Sequence, residues 1–438
     1  MQQQKWGIVG GGIMGMTLAH RLAQQGHQVT LFEAAPELGG LASAWKIHDF
    51  VWDKFYHVIL LSDLHTRGIL KELELDDKID WVETKTGFYT DGKLYSMSNT
   101  VEFLSFPPLN LIDKFRLGLT IFVASRLKNW KRLEQIPVET WLKRWSGKNT
   151  FNKIWLPLLR AKLGENYKQT STAFIWATIQ RMYAARRSGL KKEMFGYVRG
   201  GYGEIIRSFE SKLISEGVEI KTGHQASEIF ADNNSGASVK FSNGQEESFD
   251  NVISTLPSVI SSAICKGLST EQMKKLNAIE YLGVICASVV LDREISPYYV
   301  TNITDTWVPF TGVIEMSSLV DKKSFGGNSL IYLPKYLKPD DPLFKASDKE
   351  IEDLFLGALL KMYPFLSISD VKYVGVARAR NVFALSSIGY SKNLPDVKTS
   401  IPGVYILNAA HITNGTLNVN ETIQIAEAKL KEILKDHV

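Results

Sequence analysis

The sequence predicts an α/β protein: a Rossmann-like dinucleotide-binding domain assembled from discontinuous segments, with an α+β domain inserted between them. Three observations lead there. The first forty residues read as a βαβ unit with glycines at nucleotide-binding spacing. The stretch 217–257 alternates apolar and polar residues in short runs. A strand and a helix return at the end of the chain.

The opening strand, Trp6-Gly-Ile-Val9, runs into Gly10-Gly-Gly12-Ile-Met-Gly15. In such a turn Gly10 permits the tight reversal, Gly12 lets the backbone approach a pyrophosphate, and Gly15 lets the helix pack closely on the sheet. The helix N-terminus then turns its positive end toward the phosphates. Ile13, Met14, Leu18 and Leu22 repeat at helical spacing, Gly26 ends the helix, and Val29-Thr-Leu-Phe32 is the second strand. Glu33 follows 18 residues after Gly15, at the tip of that strand, where a carboxylate accepts hydrogen bonds from ribose hydroxyls.

Residues 109–133 are expected to form one amphipathic helix, apolar at Leu117, Leu119, Ile121, Phe122 and Val123 and then basic at Arg126, Lys128, Lys131 and Arg132. It is either one wall of a helical domain or a helix lying on a membrane surface. After Tyr197-Val-Arg-Gly-Gly-Tyr-Gly203 a helix is expected over 204–215. Strands follow at 217–221, 226–230, 237–241 and 251–257, with Asn243-Gly244 as a hairpin turn. Buried strands are expected at 283–291 and 329–334, another strand at 402–407, and a final helix from 419 to 434. This order places the nucleotide-binding domain in 1–95, 196–260 and 370–438. The substrate domain takes 96–195 and 261–369, with the helical part 96–195 as the portion that touches membrane if any does.

At 438 residues, 45% hydrophobic and 22% charged, the chain has the composition of an ordinary globular protein. Its net charge of +5 hides an asymmetry: residues 101–200 hold 19 Lys or Arg against 6 Asp or Glu, with tryptophans interleaved. That stretch is a solvated basic face, or it attracts anionic headgroups or a phosphorylated substrate. No nucleic-acid motif accompanies the charge, so nucleic acid is not an expected partner. The two cysteines, Cys265 and Cys286, lack CxxC or zinc-ligand spacing and read as packing residues in a reducing cytoplasm. The eight histidines form no metal-binding pattern, so no metal is expected. No signal peptide is expected from the first residues, and no apolar run is long enough for a transmembrane helix. The expected location is therefore cytoplasmic, with peripheral contact with an anionic membrane open.

Three stretches resemble the FAD-dependent amine oxidase superfamily, in its protoporphyrinogen-oxidase-like and phytoene-desaturase-like branch. They are Glu33-Ala-Ala-Pro-Glu-Leu-Gly39-Gly40-Leu41-Ala42; Tyr197-Val-Arg-Gly-Gly-Tyr-Gly203 with the section after it; and Gly403-Val-Tyr-Ile-Leu-Asn408 with Val419-Asn420-Glu421. The resemblance implies FAD as cofactor. It implies contacts from Gly10, Gly12, Ile13, Met14 and Gly15, and from Glu33, Ala34, Gly40, Leu41 and Ala42. It also implies a backbone segment at Ala226 against adenine, and Asn408, Val419 and Asn420 at the flavin end. A helix N-terminus there stabilises the negative charge of a reduced flavin. Two departures stand out: Leu407-Asn408 replaces the family's Ala-Gly, and the loop 409–418 is longer. The strand 285–288 also lacks the lysine that amine oxidases of the superfamily set beside flavin N5.

By the same resemblance, Asp53-Lys-Phe-Tyr-His57-Val passes the flavin near N5 and O4. Tyr56 and His57 are the candidate catalytic residues: His57 moves a proton or is a hydrogen-bonded packing residue, and Tyr56 with Phe55 forms an aromatic wall. Arg378 and Arg380 either bind an anionic substrate group or pair with carboxylates, and Arg186-Arg187 reads as surface charge. The resulting expectation is an FAD-dependent oxidoreductase that dehydrogenates or oxidises a largely apolar small molecule by hydride transfer to flavin N5. The alternatives are a flavin-dependent non-redox mutase acting on a nucleotide sugar, such as UDP-galactopyranose mutase, and a flavin-binding protein without turnover.

Overall fold

The computed structural model describes residues 2–186, 194–232 and 236–435. A five-stranded parallel sheet has the order Glu219–Lys221, Gln28–Phe32, Lys5–Val9, Asn251–Ser254, Val404–Ile406. Alternate residues of these short strands face opposite sides. Trp6, Ile8, Val29, Leu31, Ile253 and Tyr405 point to the helices Ile13–Gln24, Gly201–Ser215 and Val419–Lys435, which pack on one another. Val9, Phe32, Val252, Val404 and Ile406 point to a three-stranded antiparallel sheet, Ala226–Ala231, Ala237–Phe241 and Glu246–Phe249. The expected Asn243-Gly244 turn joins the last two of those strands, with Gly244 at φ 87°.

A seven-stranded sheet forms the second half of the molecule. Its order is Val371–Ala384, Tyr281–Leu291, Ser329–Leu337, Gly312–Glu315, Val300–Ile303, Thr86–Thr90, Lys93–Ser96. All eleven residues of Tyr281–Leu291 are buried because both faces of the sheet are covered. Ile285, Ala287, Val289 and Leu291 face the helix Asp348–Met362; Leu282, Val284, Cys286 and Val290 face the helical layer built from residues 100–186. The segment boundaries expected at 95 and 370 cut across this sheet. The hairpin Thr86–Ser96 pairs in parallel with Val300–Ile303, and Val371–Ala384 pairs with Tyr281–Leu291. Both segments find their hydrogen-bonding partners in the larger sheet.

The single helix expected over 109–133 is two helices, Leu111–Arg126 and Trp130–Leu133. Asn110 and Asn129 each accept a backbone N–H three residues on, at 2.9 and 3.1 Å, so each starts a helix of its own. Leu127 between them is extended. A π-helical turn, Phe151–Trp155, leads into Leu156–Leu163. It sits just ahead of Pro157, which has no N–H to give to an α-helical ladder. Among the described residues no helix is long and apolar enough to cross a membrane.

Candidate active site

The crevice at the carboxyl ends of the parallel strands is the natural ligand position of such a sheet. Gly10 leaves the first strand at φ 113°, and a Cβ on Gly15 would lie 1.9 Å from the Gly10 carbonyl oxygen. Nothing larger than glycine fits at 15. Among the described residues no side chain caps the helix Ile13–Gln24 at Gly12, so its first N–H groups and its positive end are free for an anion. Gly12 forms a bridge with Gly39, and Gly40 lies directly beside it.

Glu33 closes this cradle. Its Oε2 accepts the Gly11 N–H at 2.7 Å and its Oε1 the Ala35 N–H at 2.8 Å, so the carboxylate holds its own loop while keeping lone pairs outward. The Glu33 and Ala35 carbonyls accept N–H bonds from His224 (2.9 Å) and Gly223 (3.0 Å), which brings Ala34 close to the loop that precedes Ala226. Gly40, Leu41 and Ala42 form a short 3-10 turn against Gly12. Ile13, Met14 and Val419 pack in one apolar cluster. These segments present a cradle that fits a dinucleotide.

Two expected contacts are spent elsewhere by their side chains. Asn420 Oδ1 accepts the N–H groups of His65 (2.9 Å) and Thr66 (3.2 Å), which serves the start of the helix Leu64–Glu72. Asn408 donates to the Leu256 carbonyl (2.9 Å) and Ser258 Oγ (3.1 Å) and accepts the Ala410 N–H. The Asn408 N–H and carbonyl both meet His411, whereas the bonds to His65 and Thr66 use only the Oδ1 of Asn420.

Phe55, Tyr56 and His57 run past Tyr336 and Tyr202. The Tyr56 and Tyr336 hydroxyls are 3.1 Å apart, and the His57 ring lies 4.8 Å from that of Tyr202. Phe55, Tyr56, His57 and Tyr336 are all half-buried, and Phe55, Tyr56 and Tyr336 pack against the core beneath the helical layer. His57 Nδ1–H donates to the Phe55 carbonyl at 2.8 Å, and burial lowers its pKa to about 4, so the ring is uncharged at neutral pH. Burial and the neighbouring Tyr336 raise the Tyr56 hydroxyl well above its usual range. Lys162 sits 3.9 Å from the Tyr336 ring centre, and Arg181 pairs with Asp63 at 2.9 Å.

Several site residues escaped the sequence. Asp53, buried under the start of the helix Gly201–Ser215, accepts the Tyr202 N–H; burial raises its pKa to about 8 against the opposing pull of the Tyr202 and Gly203 N–H groups. Gly201 is left-handed, and a Cβ there would stand 2.7 Å from Asp53 Oδ1. The double glycine at 200–201 was the visible trace of that close approach. Tyr336 follows from strand alternation: Tyr332 and Tyr336 face Tyr56, whereas Lys335, paired with Ile285, faces away and donates to the Pro309 carbonyl. Arg378 pairs with Asp348, and Arg380 donates to the Pro339 carbonyl, so both hold structure. Arg186-Arg187 lies outside the residues whose side chains are described. Among the described residues no cluster of His, Cys, Asp or Glu is arranged to hold a metal ion.

Residues 13–418 match the model of the flavin containing amine oxidoreductases. The chain belongs to that family. This flavin oxidoreductase is 23% identical over 414 residues to a 15-cis-phytoene desaturase of an Oncidium hybrid cultivar, covering 86% of this chain and 68% of that one. Its fold is shared with a protein of Exiguobacterium sp. 255-15 described as a protoporphyrinogen oxidase, at 18% identity, a TM-score of 0.77 and full coverage of both chains. It is shared equally with reduced UDP-galactopyranose mutase, at 17% identity and a TM-score of 0.75 over 99% of this chain and 94% of the other. The enzyme is an FAD-dependent oxidoreductase, and the cradle of Gly10, Gly12, Gly15, Glu33 and Gly40 suits that cofactor.

Proposed function

We propose that this oxidoreductase dehydrogenates a largely apolar small molecule against the wall of Phe55, Tyr56, His57 and Tyr336. FAD, when bound, would supply the acceptor for the hydride at N5, and the second hydrogen would leave the substrate as a proton. The carrying observation is that these half-buried aromatic rings converge, Tyr56 meeting Tyr336, beside a histidine held uncharged by burial. Such a wall binds hydrocarbon and excludes water. Dehydrogenation of phytoene is what the name of the Oncidium relative states for that protein, and it supports the same class here.

Bound FAD supplies the two-electron acceptor. The chain's own residues bind and orient. The Nδ1–H bond of His57 to Phe55 leaves Nε2 as the acceptor nitrogen, so the uncharged ring receives a hydrogen bond there. The Tyr56–Tyr336 hydroxyl pair holds the two rings in one orientation. In this reading the parallel sheet carries the cofactor, and the seven-stranded sheet with its helical layer forms the substrate side. The reading includes peripheral contact with an anionic membrane, the phase in which such a substrate dissolves.

A mutase acting on a nucleotide sugar needs cations for a diphosphate. Arg181 is already paired with Asp63, which favours the apolar substrate, and Lys162 over the Tyr336 ring is the cation a diphosphate would have to use. The test is anaerobic titration of the purified flavoprotein with apolar polyenes or reduced tetrapyrroles in detergent, and with UDP-sugars. Flavin bleaching by an apolar compound is expected. Binding of a UDP-sugar with no bleaching by any apolar compound overturns the reading.

A further inference from the structure

Of the 18 large hydrophobic side chains exposed among the described residues, seven fall between Val101 and Phe122. That concentration is a patch and not the scatter of single residues found on any surface. Ile112, Phe115, Leu119 and Phe122 repeat at steps of three and four along the helix Leu111–Arg126, and Ile112 and Phe115 are 72% and 71% exposed. Leu111 stands beside them, and Val101 and Leu104 add the adjoining helix Thr100–Ser105.

The opposite face of the same helix is buried through Asp113, Leu117, Thr120 and Ala124, against the helices Val138–Thr150 and Thr172–Arg186. The helix thus carries an apolar stripe on its exposed side although its opposite side already packs into the protein. In water such a helix is normally covered.

The charges around the patch say what covers it. Arg126, Lys128, Lys131 and Arg132 follow directly and are exposed, and among the described residues none of them has a carboxylate partner. Arg126 stacks over the Phe122 ring at 5.1 Å, so cation and apolar face are contiguous. The acids nearby are occupied. Asp113 and Glu134 are buried, the former bonded to Asn149 and Thr150 and the latter to Ser391. Glu102 accepts from Ser96 and Ser98. An apolar face rimmed by unpaired cations matches a leaflet of anionic lipid, with acyl chains under the rings and headgroups at the cations.

We infer that the helices Thr100–Ser105 and Leu111–Arg126 form a docking face for an anionic phospholipid bilayer. The inference rests on the membrane contact included in the proposed function and names the surface that makes it. Docking buries Ile112, Phe115 and Phe122 at the acyl boundary. Arg126, Lys128, Lys131 and Arg132 lie at headgroup depth.

The test is co-sedimentation of the FAD-loaded protein with vesicles of phosphatidylcholine alone or mixed with phosphatidylglycerol, for the parent and two variants. One variant is Ile112→Ser with Phe115→Ser; the other replaces Arg126, Lys128, Lys131 and Arg132 by Gln. All these side chains are exposed, so folding and flavin content, read by absorbance and circular dichroism, should be unchanged. The serine variant is expected to partition at least ~10-fold more weakly into anionic vesicles, and the glutamine variant roughly 10-fold more weakly, with little change on neutral ones. Unchanged binding of both variants overturns the docking face while membrane contact itself stands. A parent protein that binds no vesicle overturns both. A parent dimer that falls apart on the serine substitutions, without vesicle binding, assigns the face to a second copy of the chain and also overturns the inference.

Discussion

Tyr202 donates its backbone N–H to Asp53 Oδ1 at 2.8 Å, tying a buried carboxyl to the first turn of the helix Gly201–Ser215. The helix terminus favours a negative charge there, but burial outweighs it and raises the Asp53 pKa to about 8. The folded protein therefore binds a proton that the unfolded chain releases near pH 4. The Asp53 contribution to stability is fully present below pH 4 and is lost as pH rises toward 8, at up to about 1.4 kcal/mol per pH unit. Asp53→Asn keeps an oxygen acceptor and removes the titration. Denaturant unfolding from pH 4 to 9 should show a downward slope that is shallower in Asp53→Asn than in the parent, the buried Glu315, raised to about 7, keeping its own share.

Gly15→Ala should abolish stable FAD retention. Its Cβ would be placed 1.9 Å from the Gly10 carbonyl oxygen, a backbone atom in the turn that faces the cofactor. The turn must shift, and a loss of at least ~1.4 kcal/mol lowers affinity tenfold or more. Flavin absorbance per mole of purified protein checks this, with Gly357→Ala as a control at an unstrained position with open space.

His20 sets Nε2 2.7 Å from Glu72 and Nδ1 2.5 Å from Glu216, a fully buried imidazole between two carboxylates. Arg21 joins the same Glu72 and also Glu427 on the last helix. His20→Gln leaves the two carboxylates less compensated and should lower unfolding stability by about 2 kcal/mol. The Glu72 carboxyl is held down near 2 by Arg21 and His20 despite its partial burial. Its share of stability is present above pH 4.5 and lost as pH falls through about 2, so the parent should have a steeper acid limb than Glu72→Gln.

Tyr336→Phe removes one hydroxyl from the 3.1 Å pair with Tyr56 and keeps the ring beneath Lys162. With an apolar substrate kcat/KM should stay within about fivefold, since losing a neutral hydrogen bond costs about 1 kcal/mol or less of transition-state binding. A rise in KM beyond ~10-fold at constant kcat would mean that the hydroxyl binds a polar group of the substrate.

Asn420→Ala removes the acceptor for the His65 and Thr66 N–H groups and should cost about 1 kcal/mol. Flavin content should be unchanged if only the backbone of this residue meets the cofactor.

The cradle was legible in the sequence because its determinants are local: Gly10, Gly12, Gly15 and Glu33 lie within one βαβ unit, and each acts on its neighbours. The uses of Asn408 and Asn420 were not, since their partners lie 150 and 355 residues away. The place of the hairpin 86–96 was not legible, because its partner is distant in sequence: Thr86 pairs with Val300. The break near Leu127 was within reach, as Asn110 and Asn129 are both good N-caps. The apolar run around them concealed it.

The parallel sheet draws its strands from residues 5–9, 28–32, 219–221, 251–254 and 404–406. During synthesis the glycine turn leaves the ribosome first, yet its sheet waits for nearly the whole polypeptide. Any strand made early must bide with an unsatisfied edge until Val404–Ile406 emerges, the period in which the chain is most open to misassembly and to chaperones. Loss of the last few dozen residues would therefore be felt at Gly10 as surely as a change at Gly10 itself.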